Sequence, residues 1–224
     1  MASLNLRCTL CSSRAVLFHE IEEKPSRKKE IKKKKYFKCT FCSSVFLDPG
    51  NYPSKKVEKK RYEEHNNDVE DPGYQKFVAP IVDEITQRFY KNHAGLDFGA
   101  GPGPVITKLL RDQGYNVELY DPFFWNNPGA LKSEYDYIAC CEVIEHFHYP
   151  QKEFKLLRSL LKPGGVLLCM TQIYSEEIDF SSWYYKNDLT HVFFYHKNAL
   201  EWIQKNYNFS RLVIGDRLIQ FFSP

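Results

Sequence analysis

The stretch "GLDFGAGPGPVITKLL", residues 95–110, joins a short apolar run to an amphipathic run through three glycines at alternate positions. Gly99, Gly101 and Gly103 have no Cβ, so this turn can adopt positive φ angles and let a ligand lie directly against the backbone. The amides that open the following helix would face the same ligand. The pattern predicts a strand, a binding turn and a helix.

From residue 94 onward, strand-like runs alternate with helical ones. The strand-like runs are "AGLDF", "YNVELYD", "YDYIACCEV" and "GVLLCMT", and helices are expected at 104–113 and 151–161. This alternation predicts an α/β, Rossmann-like, doubly wound and mostly parallel sheet with helices on both faces. A helix at 197–206 and two strand-like runs around Gly215 predict a C-terminal antiparallel hairpin, for about six strands in all.

Two C-x-x-C pairs stand near the amino terminus, Cys8 with Cys11 and Cys39 with Cys42, with 27 residues between them. Each pair can form a knuckle turn, and two knuckles complete a tetrahedral Zn²⁺ site. We therefore predict a zinc-ribbon domain at residues 1–50. Because it is too small to bury a core, its folding would depend on the metal, and chelation would unfold only this module. A redox dithiol or ordinary buried cysteines are the alternative.

The charge of the chain is unevenly distributed. Residues 1–60 carry 15 Lys and Arg against 6 Asp and Glu, whereas the remainder carries 16 against 22. Nine of the basic residues lie between Lys24 and Lys38. This segment could neutralise RNA or DNA phosphates, or it could be a solvated surface loop.

Residues 51–92 are predicted to form a helical connector. An apolar stripe at helical spacing would pack onto the following domain: Phe77, Ile81, Ile85 and Phe89. Three ring side chains could instead form part of a lid over a neighbouring pocket: Tyr62, His65 and Tyr74.

The amino-terminal residues lack the apolar core of a signal peptide, and no run approaches the ~18 apolar residues of a membrane span. Seven cysteines is an odd number, which argues against a secreted disulfide framework. We expect a soluble cytoplasmic protein without a membrane partner. The sequence carries no signal for an oligomeric state.

Two carboxylates flank the glycine turn. Asp97 precedes Gly99 by two positions, and Asp121 ends the second strand, where a carboxylate can accept both hydroxyls of a ribose. Further on, "YDYIACCEVIEHFHYP" is followed by "LLKPGGVLLCMT". Residues 93–224 thereby resemble the class I S-adenosylmethionine-dependent methyltransferases, particularly the branch containing quinone-biosynthesis and related small-molecule enzymes. The cysteine pairs together with "DLTHVFFY" further resemble bacterial zinc-ribbon methyltransferases.

The resemblance implies that the protein is a methyltransferase with S-adenosylmethionine as cofactor. It places Asp97 near the methionine end of that cofactor, Asp121 at the ribose, and residues 142–146 beside the cofactor and the substrate entrance. The predicted cofactor-binding residues are Asp97, Gly99, Ala100, Gly101, Gly103, Asp121, Pro122, Phe123, Glu142 and Val143.

The sequence departs from the family between Asp121 and Tyr135. The intervening residues are too few for the helix and third strand that family members usually place there. The acidic residue that commonly contacts adenine after that strand has no counterpart. Three aromatic residues could cover the base by stacking, or could plug the gap: Phe123, Phe124 and Trp125.

Methyl transfer from a sulfonium is an in-line displacement that needs orientation above all. A hydroxyl nucleophile must also lose its proton, and a histidine suits that task. We predict His146 and His191 as catalytic, although His146 could instead cap the following helix or bond Glu145. The residues around His191 lack alternation, which indicates a substrate-facing loop rather than a sheet edge.

The predicted substrate-binding residues are Trp183, Tyr195 and Glu145. The aromatic side chains here, including Tyr184 and Tyr185, could form a wall for a flat acceptor or the packed underside of a lid.

Three functions remain open at this point. The first is methyl transfer to an oxygen or nitrogen of a small molecule. The second is an RNA methyltransferase, in which the basic ribbon docks nucleic acid and retention weakens steeply with salt. The third is a catalytically inactive scaffold that binds zinc and the cofactor.

Overall fold

The computed structural model describes residues 6–23, 32–65 and 68–224 of the chain. Its strands are β1 (Ala15–Glu23), β2 (Lys32–Cys39), β3 (Val45–Leu47), β4 (Ala94–Phe98), β5 (Asn116–Tyr120), β6 (Tyr135–Cys141), β7 (Leu161–Met170), β8 (Phe193–Phe194), β9 (Arg211–Ile214) and β10 (Leu218–Phe222). Its α-helices are α1 (Lys55–Glu63), α2 (Pro72–Arg88), α3 (Val105–Asp112), α4 (Pro150–Ser159) and α5 (Lys197–Asn206).

The larger sheet has six strands in the order β5-β4-β6-β7-β10-β9. β5, β4, β6 and β7 run parallel to one another. β10 runs antiparallel to both β7 and β9. The predicted fold class is therefore confirmed, including the terminal antiparallel hairpin. The strand order reverses between β4 and β6, and ligands of such sheets bind at the carboxyl ends of the strands around this point.

Alternate residues of the central strands are buried on opposite faces. In β7, Leu167 and Cys169 pack in the cluster that contains Phe154 of α4, whereas Val166 and Leu168 pack in the cluster that contains Ile81 of α2. The helices α4 and α5 cover one face, and α2 and α3 cover the other. Strands that are buried on both faces read as continuous apolar runs, which is why "GVLLCM" shows no alternation.

The connection from β5 to β6, residues 121–134, contains one 3₁₀ turn at Ala130–Lys132 and no further strand of the sheet. The Tyr135 hydroxyl donates to the backbone oxygen of Ala130 at 2.8 Å, which ties this link to the sheet. The absence of the family's usual third strand here is as expected.

The smaller sheet has the order β1-β2-β3-β8 and is antiparallel throughout. In its last pair, Val45 is opposite Phe194 and Phe46 is opposite Phe193. The interpretation of the segment around His191 as a loop rather than a sheet edge was wrong for these two phenylalanines. Both side chains are fully buried, and their backbone completes the edge of β3. His191 itself lies in the loop that precedes β8.

The two sheets share one apolar core. Phe37 and Phe46 of the smaller sheet pack in the same cluster as Ile138 and Leu167 of the larger one. The division into residues 1–50, 51–92 and 93–224 stays a prediction, and the pairing of β3 with β8 joins its first and third parts through backbone hydrogen bonds.

The connector contains the predicted helical stripe. Ile81 and Ile85 of α2 are fully buried, and the Asp71 carboxylate caps the helix by accepting from the Gly73 amide at 2.7 Å. Among the described residues, the helices are all too short or too polar to cross a membrane.

Candidate functional site

A cavity of about 1040 Å³ opens at the carboxyl ends of β4, β5 and β6. Its size is at the upper end of the range for small-molecule sites. Residues from three parts of the chain line it. They include Arg61, Tyr62, His65 and Tyr74 from the connector, Gly99, Ala100, Gly101, Asp121, Pro122 and Phe123 from the first strand ends, and Glu142, Val143, His146, His148, Tyr185, Asp188 and His191 from the later segments.

The glycine turn forms one wall of this cavity. Gly99 and Gly101 have φ angles of 78° and 62°, the left-handed region that side chains disfavour. A Cβ on Gly99 would also lie 2.6 Å from Cγ2 of Val143, closer than packed atoms approach. The turn is held to β5 because the Gly99 amide donates to the Tyr120 oxygen at 2.8 Å. Gly103 follows the turn and precedes α3.

Asp121 faces the glycine turn from the end of β5. Its Oδ2 accepts from the Gly101 amide at 3.1 Å, and its Oδ1 accepts from the amides of Phe123 and Phe124 at 2.8 and 3.1 Å. Three backbone donors therefore fix this carboxylate at the cavity wall. Its place agrees with the predicted ribose contact, which stays a prediction.

Asp97 lies beneath the turn and is 4% exposed. Its Oδ2 accepts from the Thr107 hydroxyl at 2.8 Å. Burial raises the pKa of Asp97 to about 6, against the effect of this hydrogen bond. The predicted contact between Asp97 and the methionine end of a cofactor would bring a positively charged or hydrogen-donating group of the cofactor to this buried carboxylate.

Of the three aromatic residues after Asp121, one lines the cavity and two lie outside its lining. Phe123 lines the cavity and contacts Tyr62 of α1, with 5.7 Å between ring centroids. Trp125 is half-exposed, and its Nε1 donates to the Gly101 oxygen at 2.7 Å. Phe124 packs beneath the Lys59 ammonium, 5.9 Å from the ring centroid. Phe123 is therefore the one of the three that lines the cavity, and its stacking on a base stays a prediction.

The connector helix α1 forms the opposite wall. Arg61 donates two hydrogen bonds to Asp188 Oδ2, at 3.0 and 2.8 Å, and His65 Nε2 lies 3.7 Å from the same oxygen. Burial opposes ionisation of Asp188, but hydrogen bonds from His65, Thr190 and Arg61 hold its pKa well below the usual range. These contacts fasten α1 to the loop that carries His191. The ring residues proposed for a lid do line the cavity.

His146 and His191 meet in the cavity, with ring centroids 4.8 Å apart. His146 Nδ1 bonds the Thr190 oxygen at 2.9 Å, and His191 Nδ1 bonds the Tyr185 oxygen at 2.7 Å. Burial lowers the pKa of each imidazole to about 4, and the proximity of His146 adds to the effect on His191. The two predicted catalytic histidines are therefore neutral at physiological pH.

Two glutamates lie beside these histidines. Glu142 has a φ angle of 51°, and its Oε1 accepts from Arg217 Nη2 at 3.0 Å. Burial, and then the nearby charge of Glu145, raise the pKa of Glu142 to about 7. Glu145 is fully buried, and burial raises its pKa as well. The Tyr185 hydroxyl bonds both carboxylates.

None of the three predicted substrate-binding residues lines the cavity. Tyr195 is fully buried, and its hydroxyl donates to the Ile144 oxygen at 2.9 Å. Trp183 packs against Phe180 and Phe194, and its Nε1 contacts Gln172. Both side chains serve packing, because the segment after β7 folds against the smaller sheet. Glu145 lies behind the histidines and does not form part of the wall.

Sequence reasoning missed Arg217 as a partner of Glu142 and Arg61 as a partner of Asp188. Each pair joins segments that are far apart in the chain, so no local spacing signals it. Tyr185 was noted only as a wall residue, whereas its hydroxyl links Glu142, Glu145 and Thr171.

The four amino-terminal cysteines form a second cluster. Their sulfur atoms all lie within 4.8 Å of one another, with Cys8 and Cys42 at 3.7 Å and Cys11 and Cys39 at 3.4 Å. Zn–S bonds of ~2.3 Å would place tetrahedral sulfurs ~3.8 Å apart. Ser12 and Ser43, which follow the two knuckles, share a φ angle of 60°. The geometry is compatible with a zinc ion.

The basic segment is only partly described. Residues 24–31 lie outside the described residues. Lys33 pairs with Glu20 at 2.8 Å, and Lys38 pairs with Glu176 at 2.8 Å. These two lysines are therefore already engaged within the protein.

A doubly wound sheet with a glycine turn after its first strand, an acidic residue after its second and an antiparallel hairpin at its end is typical of the class I S-adenosylmethionine-dependent methyltransferases. The sequence profile of a methyltransferase domain family matches residues 40–212, most of the chain. The chain belongs to this family.

Curated relatives match the central part of the chain. The ubiquinone biosynthesis O-methyltransferase of Erwinia tasmaniensis is 29% identical over 91 residues, covering 41% of this chain and 37% of that protein. Its counterpart in Serratia proteamaculans is 31% identical over 85 residues, covering 38% of this chain and 35% of that protein. The match spans well under half the length of these relatives.

Solved structures show the same fold at low sequence identity. An O-methyltransferase family protein from Burkholderia thailandensis matches with a TM-score of 0.52 and 13% identity, covering 74% of this chain and 61% of that one. Human N-acetylserotonin methyltransferase, solved in complex with S-adenosylmethionine, matches with a TM-score of 0.52 and 11% identity, covering 78% and 61%.

Proposed function

We propose that the chain transfers a methyl group from S-adenosylmethionine to an oxygen atom of a small molecule. The observation that carries this proposal is the glycine turn at the wall of the cavity. A Cβ on Gly99 would fill the space beside Val143. The Asp121 carboxylate lies opposite this turn and accepts hydrogen bonds from three backbone amides. The names of the relatives support oxygen as the acceptor atom.

The cofactor would lie between the glycine turn and the ends of β5 and β6. Its sulfonium supplies the methyl group when it is bound. In this arrangement Gly99, Ala100 and Gly101 border it with bare backbone, and Asp121 accepts the ribose hydroxyls. Phe123 provides an aromatic face for the adenine, in place of the acidic residue that the short β5–β6 link omits.

The acceptor would occupy the part of the cavity bordered by His146, His191 and Tyr62. Orientation of the acceptor oxygen against the methyl group is the main contribution such a site can make. Imidazoles with a pKa of about 4 are weak bases. A phenol, with a pKa of about 10 as in tyrosine, loses its proton to such a base more readily than an alcohol does. The aromatic lining also suits a flat ring.

We also propose that Cys8, Cys11, Cys39 and Cys42 hold one structural zinc ion. Four sulfur ligands leave no open position, which is typical of structural rather than catalytic zinc. The cluster packs in the same core as the larger sheet, so the metal would stabilise both.

The experiment that tests the proposed function uses S-adenosylmethionine with an isotopically labelled methyl group. The protein is incubated with a mixture of small phenols and, separately, with RNA. The expected result is label in the phenol fraction and none in the RNA fraction. Label in RNA would support the nucleic-acid alternative, and binding of S-adenosylhomocysteine without any transfer would support the scaffold alternative.

A further inference from the structure

The two cavity histidines use the same ring nitrogen to bond the backbone. Each Nδ1 bonds a backbone carbonyl oxygen, that of Thr190 for His146 and that of Tyr185 for His191. A carbonyl only accepts, so each Nδ1 carries the hydrogen and each Nε2 keeps a free lone pair. Two rings whose centroids are 4.8 Å apart at the cavity wall thus each keep one nitrogen lone pair available to a ligand.

Glu145 stands directly behind this pair and is incompletely bonded. Its Oε1 accepts from the Tyr185 hydroxyl, while its Oε2 is buried without a hydrogen-bond partner among the described residues. His191 Nε2 lies 4.0 Å from Oε1, and neither atom carries a hydrogen to share. A fully buried carboxylate oxygen with no donor is costly, and a bound cation would offset that cost.

We propose that Glu145, His146 and His191 bind a divalent first-row transition-metal ion. The three ligand atoms lie within 4.8 Å of one another. Metal bonds of ~2.1 Å place neighbouring ligand atoms ~3 Å apart, so small side-chain rotations suffice to close the site. Two imidazoles and one carboxylate suit iron, zinc, cobalt or manganese, and leave further coordination positions open.

The surroundings of the cluster match those of known metal sites. Histidines that bind metals usually donate their other ring N–H to a carbonyl or carboxylate, which fixes the ring. Both histidines here meet that condition. The carboxylate is likewise held, by the Tyr185 hydroxyl.

The role of this ion in methyl transfer rests on the proposed function, whereas the metal site itself does not. His146 and His191 line the cavity, so the open positions of the ion would face the acceptor. An oxygen bound to a divalent cation loses its proton far more readily than a free one. The ion would thereby activate the acceptor oxygen, with the two imidazoles serving as its ligands.

The test uses the full chain with its cysteine site loaded with zinc. Co²⁺ is titrated in and followed by its visible absorption and by calorimetry. Zn²⁺ binds more tightly than Co²⁺ in the general affinity order, so the cysteines retain zinc. We expect one equivalent of Co²⁺ to bind, with a spectrum that lacks the charge-transfer bands of sulfur ligation.

Three variants locate the site. Glu145→Gln, His146→Gln and His191→Gln each remove one ligand and are expected to weaken Co²⁺ binding at least ~10-fold. His148→Gln is the matched control, because His148 lines the same cavity but its Nε2 pairs with Glu58 at 2.8 Å. Circular dichroism identifies any variant that does not fold, and the remaining two then carry the test.

The proposal is overturned if the folded protein binds no Co²⁺ beyond the cysteine site, or if the folded ligand variants bind it as tightly as the wild type. Calorimetry with S-adenosylhomocysteine on the same samples separates the two proposals. Metal binding without cofactor binding would remove the proposed function and leave the metal site. Cofactor binding without metal binding would do the reverse.

Discussion

The cysteine cluster and the histidine–glutamate cluster are two groups of potential metal ligands built in opposite ways. Each half of the cysteine cluster comes from one local turn, and four sulfurs close the site completely. The second cluster takes Glu145 and His146 from the 3₁₀ turn Ile144–His146 that follows β6, and His191 from a loop 45 positions further on. The first is typical of a structural site, whereas the second faces a cavity and has room for a reactant.

The two clusters are nevertheless connected through the fold. The β3 strand lies next to the second cysteine knuckle and pairs with β8, which begins two residues after His191. The backbone between them is also bonded, since the Leu47 amide donates to the Val192 oxygen at 2.9 Å and the Val192 amide donates to the Glu145 oxygen at 3.0 Å. A site that looks appended in the sequence thus supports the loop that carries the other site.

The largest effect is expected from Cys39→Ser, which removes one sulfur of the closed cluster. Zinc content measured by mass spectrometry should fall by one ion per chain, because structural zinc binding is worth ~10 kcal/mol or more. The unfolding midpoint of the whole chain should fall with it. Cys169→Ser, in a buried thiol of β7 outside the cluster, should keep its zinc.

A different outcome would show that the cysteine cluster does not support the larger sheet. If Cys39→Ser loses zinc while the larger sheet melts as in the wild type, residues 1–50 are an appended module, as the sequence alone predicted.

The next effect concerns the open region. Gly99→Ala should weaken binding of S-adenosylhomocysteine at least ~10-fold, because the new methyl group would meet Val143 and deform the turn. Gly164→Ala is the matched control. Gly164 has a φ angle of 73°, close to the 78° of Gly99, but an added Cβ would have nothing within 4 Å.

Calorimetry and chemical denaturation separate the two glycine variants. Gly164→Ala should lose ~1 to 2 kcal/mol of stability through backbone strain and keep the cofactor affinity of the wild type. Equal cofactor affinity in Gly99→Ala would remove the turn from the binding site.

A third, smaller effect tests the buried charge beneath the turn. The pKa of Asp97 is about 6 in the folded chain against 3.8 for an ordinary aspartate. The folded state therefore binds more protons than the unfolded state between these values, and the free energy of unfolding falls as pH rises through them. Asp97→Asn should remove this decline and gain up to ~3 kcal/mol at neutral pH, at the expense of cofactor affinity.

The control for this prediction has the opposite sign. Asp136 accepts from Lys162 Nζ at 2.8 Å, and although burial acts the other way, this bond lowers the pKa of Asp136. Its contribution to stability is present at neutral pH and is lost as pH falls. Asp136→Asn should therefore destabilise the protein at neutral pH. Urea titrations across the acid range, compared with the wild type, measure both; parallel curves for Asp97→Asn and wild type would contradict the account.

The smallest effect is expected from Trp125→Phe. This change removes the Nε1–H bond to the Gly101 oxygen and keeps an aromatic ring. One hydrogen bond of this kind is worth ~1 kcal/mol, or about a fivefold loss of cofactor affinity. Trp202→Phe on α5 should leave the affinity unchanged. A loss of binding as large as that of Gly99→Ala would show that Trp125 contacts the cofactor itself.

The predictable part of this molecule is the part that is local in sequence. The glycine turn, Asp121 and the alternation of strand and helix gave the larger sheet with its hairpin, because each signal lies within one βα unit. The two cysteine knuckles could be predicted for the same reason, because each lies within four consecutive residues. The expected number of about six strands, with a short β5–β6 link, followed from the distance between Asp121 and Tyr135.

The features that could not be predicted from the sequence depend on contacts between distant segments of the chain. The pairing of Phe193 with Phe46 uses a strand of two residues, which has no periodicity to detect. The packing of Trp183 and the burial of Tyr195 could not be distinguished from an aromatic binding wall. The histidines are oriented by the backbone oxygens of Thr190 and Tyr185, and a backbone oxygen leaves no mark in the sequence.

The most direct test of the central claim is calorimetric titration of the zinc-loaded wild-type protein with S-adenosylhomocysteine, with Gly99→Ala beside it. A saturable site of one molecule per chain, weakened in the variant, is the result that the geometry of the cavity predicts. A folded wild-type protein that takes up none, or a variant that binds as well as the wild type, would contradict it.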